Sequence, residues 1–187
     1  MELAAVVGRM RGMLLEPDAT LAAHGVPAPN WRIVLREHAL PVLVLPLSSG
    51  TGVSIGLIAL LLIGRVILNL AGLFVMAAII RFYAGMFGGA ASFDAAFVLV
   101  ALAMTPLYVA EMLGPGVQLL LSTPAAVLLI LLALGYAFTI LYRGTGLVMA
   151  VPQANRGAHF GLTLVTLVVL MMLAGLLLGP YVVPMPG

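Results

Sequence analysis

Three polar residues interrupt the long apolar runs of this sequence and are its main candidates for chemistry. Arg65 and Asn69 lie four residues apart in one run, on a shared helix face, and Glu111 lies near the end of a later run. An ionisable side chain is costly in hydrocarbon, so such residues usually pair or line a polar pathway. The hypothesis is an intramembrane polar patch of these three residues in which the charges pair. The alternative is that Arg65 reaches lipid headgroups and Glu111 faces water.

Sequence motifs of soluble enzymes are absent from the chain. It contains no GxxxxGK[ST] phosphate-binding loop, no GxGxxG after a strand and no HExxH. Ser48-Ser49-Gly50 superficially suggests an intramembrane serine protease, but it lacks a GxSxG-type setting and a suitably placed later histidine. The absence of cysteine excludes thiolate metal sites. We therefore expect no catalytic residue, no metal and no cofactor, and interpret the chain as a non-enzyme.

The composition requires lipid as the solvent for most of the chain. Hydrophobic residues make up 64% of the 187 residues and charged residues only 7%, whereas a soluble domain carries roughly 25% charged residues. The basic residues are dispersed arginines, a pattern that predicts no nucleic-acid partner. At about 20 residues per membrane span, the length allows five or six spans. The predicted fold class is all-α, a polytopic membrane helix bundle.

Residues 1–30 are predicted to form an amphipathic interfacial helix followed by a linker. At about 100° per residue, one continuous apolar arc forms, consisting of Leu3, Val6, Val7, Met10, Met13 and Leu14. Arg9 and Arg11 flank this arc, as in an in-plane helix whose arginines reach lipid phosphates. The alternative is a helix packed on another protein surface. Prolines at positions 17, 27 and 29 predict that residues 17–30 are a linker.

Residues 31–187 are predicted to hold five transmembrane helices. Asn30 is a candidate N-cap for the first, and Trp31, Arg32 and Arg36 are predicted interfacial anchors, with His38 also at the interface. The first helix starts near Val34 and contains Pro41 and Pro46, and polar residues 48–52 predict the turn after it. The second helix reaches Phe82, and the later helices are predicted at Ala95–Met112, Leu120–Tyr142 and His159–Leu178.

The arginines predict the orientation of the bundle. All of them except Arg65 fall in the N-terminal segment or in the predicted loops at residues 81–95 and 143–158. By the positive-inside rule, the N-terminus is cytoplasmic and the C-terminus outside. The two loops form a candidate cytoplasmic contact surface, consisting of Arg81, Gly88, Gly89, Asp94, Arg143 and Arg156. Asp94 begins a predicted helix, where it could cap the helix dipole or contact a partner.

Several short elements, spread over most of the chain, resemble a known membrane-protein family. The most specific are Phe87-Gly88-Gly89, Phe93-Asp94 and Thr105-Pro106. The others are Leu14-Leu15-Glu16-Pro17-Asp18-Ala19-Thr20, Trp31 to Glu37, Leu40-Pro41, and the segment from Gly135-Tyr136 to Tyr142. Together they are similar to the prokaryotic branch of the Yip (Ypt/Rab-interacting protein) family. The resemblance implies a five-pass membrane topology, location in a bacterial inner membrane and no established catalytic residue.

Two functions follow as expectations. The first is a Yip-like scaffold that organises membranes or partner proteins, with lipids and a protein at the cytoplasmic face as its partners. The alternative is a small transporter or channel for a lipid or small solute, using the kinked first span and the Arg65 patch. An inward-facing polar cavity joining those residues would favour transport. Gly-xxx-Gly spacings at 52/56 and 175/179 favour close helix packing and leave a homo-oligomer open.

Overall fold

The computed structural model describes residues 3–44 and 55–182, which form helices joined by short turns. Two short helices come first, α1 (Leu3–Leu15) and α2 (Pro17–Gly25). Next, α3 (Trp31–Val34), a π-helical turn (Leu35–Ala39) and α4 (Leu40–Val44) form one continuous helix. The remaining helices are α5 (Ile55–Met86), α6 (Phe93–Ala103), α7 (Thr105–Leu120), α8 (Thr123–Leu147) and α9 (Gln153–Val182).

Within the described residues, four helices are long and apolar enough to cross a membrane. They are Ile63–Met86, Phe93–Leu120, Thr123–Leu147 and Gln153–Ala174. The predicted first span is not among them. Its described part, residues 31–44, is about 21 Å long at 1.5 Å per residue, less than the hydrocarbon thickness of about 30 Å. Pro46 and the predicted turn at 48–52 lie outside the described residues, so the fifth span stays a prediction.

Two predicted boundaries are wrong because helices continue through residues that usually stop them. Pro115, in the Gly-Pro-Gly sequence where we expected the third span to end, lies inside α7. A proline removes one helix hydrogen bond, but α7 packs along α8, and neighbouring helices can stabilise such a break. The predicted loop at 143–158 is only the turn at residues 148–152. Arg143 therefore lies on α8, and Arg156 lies in the first turn of α9.

The predicted linker at residues 17–30 is largely a helix. Pro17 occupies the start of α2, where its missing N–H removes no helix hydrogen bond. Helices α1 and α2 pack on each other and on the bundle. Val6 and Met13 of α1 are fully buried against the core, whereas Val7 remains half-exposed. One side of the predicted apolar arc therefore packs on protein, which was the alternative to an interfacial helix. Contact of the other side with the membrane stays a prediction.

Helix α6 is the centre of the fold. Its residues Ala95–Ala103 are all buried, and it packs against α2, α3, α5 and α8. Two regions follow from this arrangement. We call residues 3–44, 73–106 and 136–163 the packed half, because nearly all buried hydrophobic side chains lie there. We call residues 55–72, 107–135 and 164–182 the distal half; there the buried hydrophobic side chains among the described residues are Tyr108, Ala110 and Ala126.

Candidate functional site

The two predicted cytoplasmic loops meet at one end of the packed half. The turn after α5 places Gly88 at φ +77°, a conformation that favours glycine. The Ala90 N–H donates to the Met149 carbonyl oxygen in the turn after α8, at 2.6 Å. A Cβ at Gly89 would lie 2.7 Å from that same oxygen, so only glycine allows this approach. Asn155 Nδ2 also donates to the Phe87 carbonyl, at 3.1 Å, and the loops therefore form one continuous surface.

Arginines hold this surface together while leaving charge at its edge. Arg81 is exposed, and its Nε donates to the Ala91 carbonyl at 3.1 Å. Arg156 Nε donates to the Val151 carbonyl at 3.0 Å, which ties α9 to the preceding turn. Arg143 pairs with Asp18 of α2 at 3.2 Å, with both side chains more than half exposed. Exposed pairs of this kind contribute about 0–1 kcal/mol to stability. Because both side chains stay exposed, their charges remain accessible to a partner.

Asp94 joins the start of α6 to the start of α3. Its Oδ1 accepts the Trp31 N–H at 2.8 Å, while Ser92 caps its own helix. Asn30 is confirmed as the N-cap of α3, since its Oδ1 accepts the Arg32 N–H at 2.9 Å. Sequence reasoning predicted a role for Asp94 at its own helix start and missed this contact across 63 residues.

The predicted interfacial anchors have different surroundings. Trp31 is half-buried in an aromatic cluster, with its ring 5.2 Å from that of Phe74 and edge-on to it. Arg32 lies over the Trp31 ring at 5.3 Å and is exposed, as are Arg36 and Arg11. Arg9 differs from the expected anchor, because it is half-buried and its Nη2 donates to the Glu37 carbonyl.

A cavity of about 280 Å³ separates α1 and the end of α2 from the π-helical turn and α6. Its polar lining includes Arg9, His24, Glu37 and His38. The prediction that His38 lies at the interface is wrong, because the residue is only 1% exposed and its Nε2 bonds Thr105 Oγ1 at 2.9 Å. No local sequence pattern could reveal this cavity, since its walls come from four separate elements and from a π-helical turn.

The structure brings the three residues of the predicted polar patch together on the distal half. Arg65 Nη2 forms an ion pair with Glu111 Oε2, linking α5 to α7. Asn69 Nδ2 donates to the Arg65 carbonyl at 3.0 Å. The Arg65 and Glu111 side chains are 44% and 26% exposed. Neither the cavity beside Arg9 nor a second one beside Arg81 is lined by Arg65, Asn69 or Glu111. At these contacts the predicted polar patch is therefore an ion pair on the protein surface.

Across residues 3–44 and 55–182, no group of three or more histidine, aspartate and glutamate side chains is placed to hold a metal ion. The described helices form a bundle with a polar end that carries arginines. Its defined features are a docked pair of turns, an Asp94 bridge and a small cavity.

Comparisons with known proteins give one match. Neither the curated proteins nor the solved structures contain a match to this chain. The Yip1 domain family matches residues 11–176, which includes the two docked turns, the Asp94 bridge and all four candidate spans. The chain belongs to the Yip1 domain family.

Proposed function

We propose that this Yip1-domain protein is a non-enzymatic membrane scaffold that organises partner proteins through its packed half. The supporting observation is that separate turns and helices are bonded into one surface that carries exposed arginines. We call Arg11, Arg32, Arg36 and Arg81 the arginine face; all four are exposed in the packed half, and we propose that they lie on one side of it. A rigid, positively charged face suits a partner with an acidic surface, because complementary charge speeds association and fixes orientation.

The proposed orientation places the arginine face in the cytoplasm. Every arginine except Arg65 lies in the packed half, which is the asymmetry that the positive-inside rule describes. We further propose a fifth span that includes residues 31–44, and location in a bacterial inner membrane. Because the chain lacks cysteine, single cysteines test the orientation. An impermeant maleimide added outside intact cells should label Leu121→Cys and not Ala154→Cys, and the opposite pattern would overturn it.

The scaffold accounts for the structure better than transport does. A transporter would need Arg65, Asn69 and Glu111 to line a polar cavity. Instead, they form a surface pair, and the cavities near Arg9 and Arg81 do not contain them. The polar groups at the packed end bond turns and helices to each other, which is a structural use rather than a pathway.

Site-specific photocrosslinking in native membranes tests the scaffold. A photoreactive residue replaces Arg36, and a control photoreactive residue replaces Gln118, which is exposed on the distal half. We expect a single protein adduct at position 36 and only lipid adducts at 118. The double variant Arg32→Glu/Arg11→Glu should weaken the adduct at position 36. Equal adducts at both positions, or lipid adducts alone at position 36, would contradict a protein scaffold.

A further inference from the structure

Helices α1 and α2 form a hairpin whose tip, the connection at residues 14–17, lies beside a candidate membrane span. Tyr136 Oη donates to the Leu14 carbonyl oxygen at 3.1 Å, and Tyr136 belongs to the span Thr123–Leu147. At about 1.5 Å per residue this span is about 37 Å long, and Tyr136 lies about 16 Å from its end at Leu147. The hydrocarbon of a bilayer is about 30 Å thick. Even if the whole excess of about 7 Å protrudes at the Leu147 end, Tyr136 lies about 9 Å inside the hydrocarbon.

The path of α2 shows that the hairpin returns from its tip toward the docked turns. Near the start of α2, Asp18 Oδ2 pairs with Arg143 Nη1 at 3.2 Å. Gly25, at the end of α2, lies against Val148, whose Cγ2 would be 2.9 Å from a Cβ at that glycine. Successive positions of α2 thus contact successive positions toward the end of α8, where the docked turn begins. The tip is therefore the end of α2 that lies deeper along the span.

Helix α1 gives a second measure of the depth of the hairpin. It packs on α7, which begins at Thr105 within the candidate span Phe93–Leu120. Thr105 lies about 18 Å along that span from Phe93, at about 1.5 Å per residue. Phe93 follows one docked turn and Leu147 precedes the other, so both distances are measured from the same end of the bundle. Two separate spans therefore place the hairpin beside the interior of the bilayer.

Backbone polar groups at the tip are bonded within the protein. The Glu16 N–H donates to the Gly12 carbonyl at 2.7 Å, and the Glu16 carbonyl accepts both the N–H and the Oγ1 of Thr20, at 3.0 and 2.9 Å. The Leu14 carbonyl, in the last turn of α1, accepts the tyrosine hydroxyl. Pro17 has no N–H that needs an acceptor. Because hydrocarbon offers no water to a backbone group, this bonding suits a tip that lies in lipid.

The side chains at the tip favour a shallow insertion. Leu14 and Leu15 are 37% and 67% exposed, and transfer of such apolar surface from water into an apolar medium is favourable. Arg11 and Glu16 are exposed as well, and a charge in hydrocarbon is costly. The long stem of Arg11 lets its charge reach the headgroups, and the Glu16 carboxylate needs the same polar boundary. The charges therefore keep the tip within the depth of about 5–10 Å that interfacial helices reach.

We propose that the α1–α2 hairpin inserts tip-first into one leaflet of the membrane, where Leu14 and Leu15 contact acyl chains. The Tyr136 hydroxyl anchors the tip through the Leu14 carbonyl. The partner of this surface is the acyl-chain region of the bilayer rather than a headgroup or a protein. The insertion differs from that of an in-plane helix, because the connection between the two helices, and not the apolar side of α1, enters the lipid. It goes beyond the proposed scaffold and depends neither on it nor on the proposed orientation.

Spin labels on single cysteines test the insertion, because the chain lacks cysteine. Leu15→Cys places the label at the tip, Ala22→Cys is the control on α2, and Leu132→Cys is the membrane reference on α8; all three positions are exposed. In phosphatidylcholine nanodiscs, collisions with dissolved oxygen report hydrocarbon, and collisions with a water-soluble nickel chelate report water. We expect the label at position 15 to resemble the label at 132, and the label at 22 to collide mainly with the chelate. A label at 15 that resembles the label at 22 would overturn the insertion.

The anchor is tested by the rate at which a charged maleimide labels Leu15→Cys in the same nanodiscs, because that rate follows the fraction of withdrawn tips. Adding Tyr136→Phe leaves the Leu14 carbonyl without its donor and should raise the rate about tenfold or more. Tyr142→Phe is the matched control: it removes a hydroxyl from the same helix at a 40% exposed residue, and should change the rate less than about twofold. An unchanged rate with Tyr136→Phe, or equal increases in both variants, would show that this hydrogen bond does not hold the tip in the membrane.

Discussion

Two candidate membrane spans of this molecule, each of which runs from the packed half into the distal half, use similar apolar residues for different purposes. In Phe93–Leu120, which contains α6, 72% of an 18-residue apolar window is buried inside the protein, against 11% in Gln153–Ala174. The two helices have nearly the same mean hydropathy, 1.9 and 2.0. Hydropathy therefore does not distinguish a helix that contacts protein from one whose surface is left for lipid. The difference depends on which neighbours the fold supplies.

Polar groups show a related contrast between the two halves. In the packed half they bond separate elements, as Asp94 bonds Trp31 and as His159 Nε2 bonds the Ile80 carbonyl at 3.2 Å. In the distal half, the ion pair of Arg65 and Glu111 lies on an exposed surface. The stability of the packed half should therefore depend on the identity and shape of its side chains. The stability of the distal half should depend mainly on helix length and apolar character.

Removing a leucine side chain from each half tests this contrast most strongly. Leu99 is fully buried in α6, and Leu131 is 59% exposed in α8. Leu99→Ala should destabilise the protein by about 2–5 kcal/mol, because it leaves a cavity in the core. Leu131→Ala should change stability by less than about 0.5 kcal/mol. Thermal unfolding in a single detergent measures both, and equal losses would show that the halves do not differ.

Adding a methyl group tests shape in the same way. Gly89→Ala should destabilise by about 1–3 kcal/mol, because its Cβ would meet the Met149 carbonyl, which is already held by the Ala90 N–H. Gly64→Ala has open space around its Cβ. It should be neutral or stabilise by up to about 1 kcal/mol, the difference in helix propensity. Melting temperatures of the two variants give the comparison, and a stable Gly89→Ala would mean that the turns are not tightly docked.

The Asp94 bridge allows a spectroscopic test, because Trp31 is the only tryptophan in the chain. Asp94→Ala leaves the Trp31 N–H without its acceptor, and should cost about 1–3 kcal/mol while shifting tryptophan emission to the red. Asp94→Asn keeps an acceptor oxygen and should restore most of both properties. Emission spectra in detergent and in nanodiscs measure the shift. An unchanged spectrum in Asp94→Ala would indicate that the bridge does not position Trp31.

The sequence predicts the elements of this fold better than their contacts. The apolar runs around Leu131 and Val168 predict membrane-length helices, because a long apolar run is sufficient to identify a candidate span. Asn30 was identified as a cap because its partner, Arg32, is two residues away. Contacts such as Asp94 with Trp31, or His38 with Thr105, join residues more than 60 positions apart. Periodicity contains no information about such pairs, so the cavity and the bridge could not be predicted.

The predictions of helix ends failed for a related reason. Pro115 and Gly114 are stop signals in an isolated helix, yet α7 continues past them. Pro17 was interpreted as a break although it also suits the first position of a helix. At Pro115, packing of α7 along α8 outweighed a local preference of about 1–3 kcal/mol, whereas at Pro17 the local preference itself favours a helix start. Local preferences therefore decide boundaries only where tertiary contacts are few.

The Arg65–Glu111 pair gives the smallest expected effect and the most direct check on the distal half. If the exposed parts of both side chains contact headgroups and water rather than hydrocarbon, Arg65→Gln or Glu111→Gln should each cost only about 0–1 kcal/mol. The exchanged variant Arg65→Glu/Glu111→Arg should restore the membrane yield that each single variant loses, because the ion pair is kept with its two charges exchanged. Membrane yield and melting temperature are compared between the native protein, the two single variants and the exchanged variant. If the single variants lose more than about 2 kcal/mol, the pair is desolvated and the distal half needs specific polar contacts as the packed half does. If the exchange behaves no better than the singles, the residues do not pair in the membrane, and Arg65 reaches the headgroups instead.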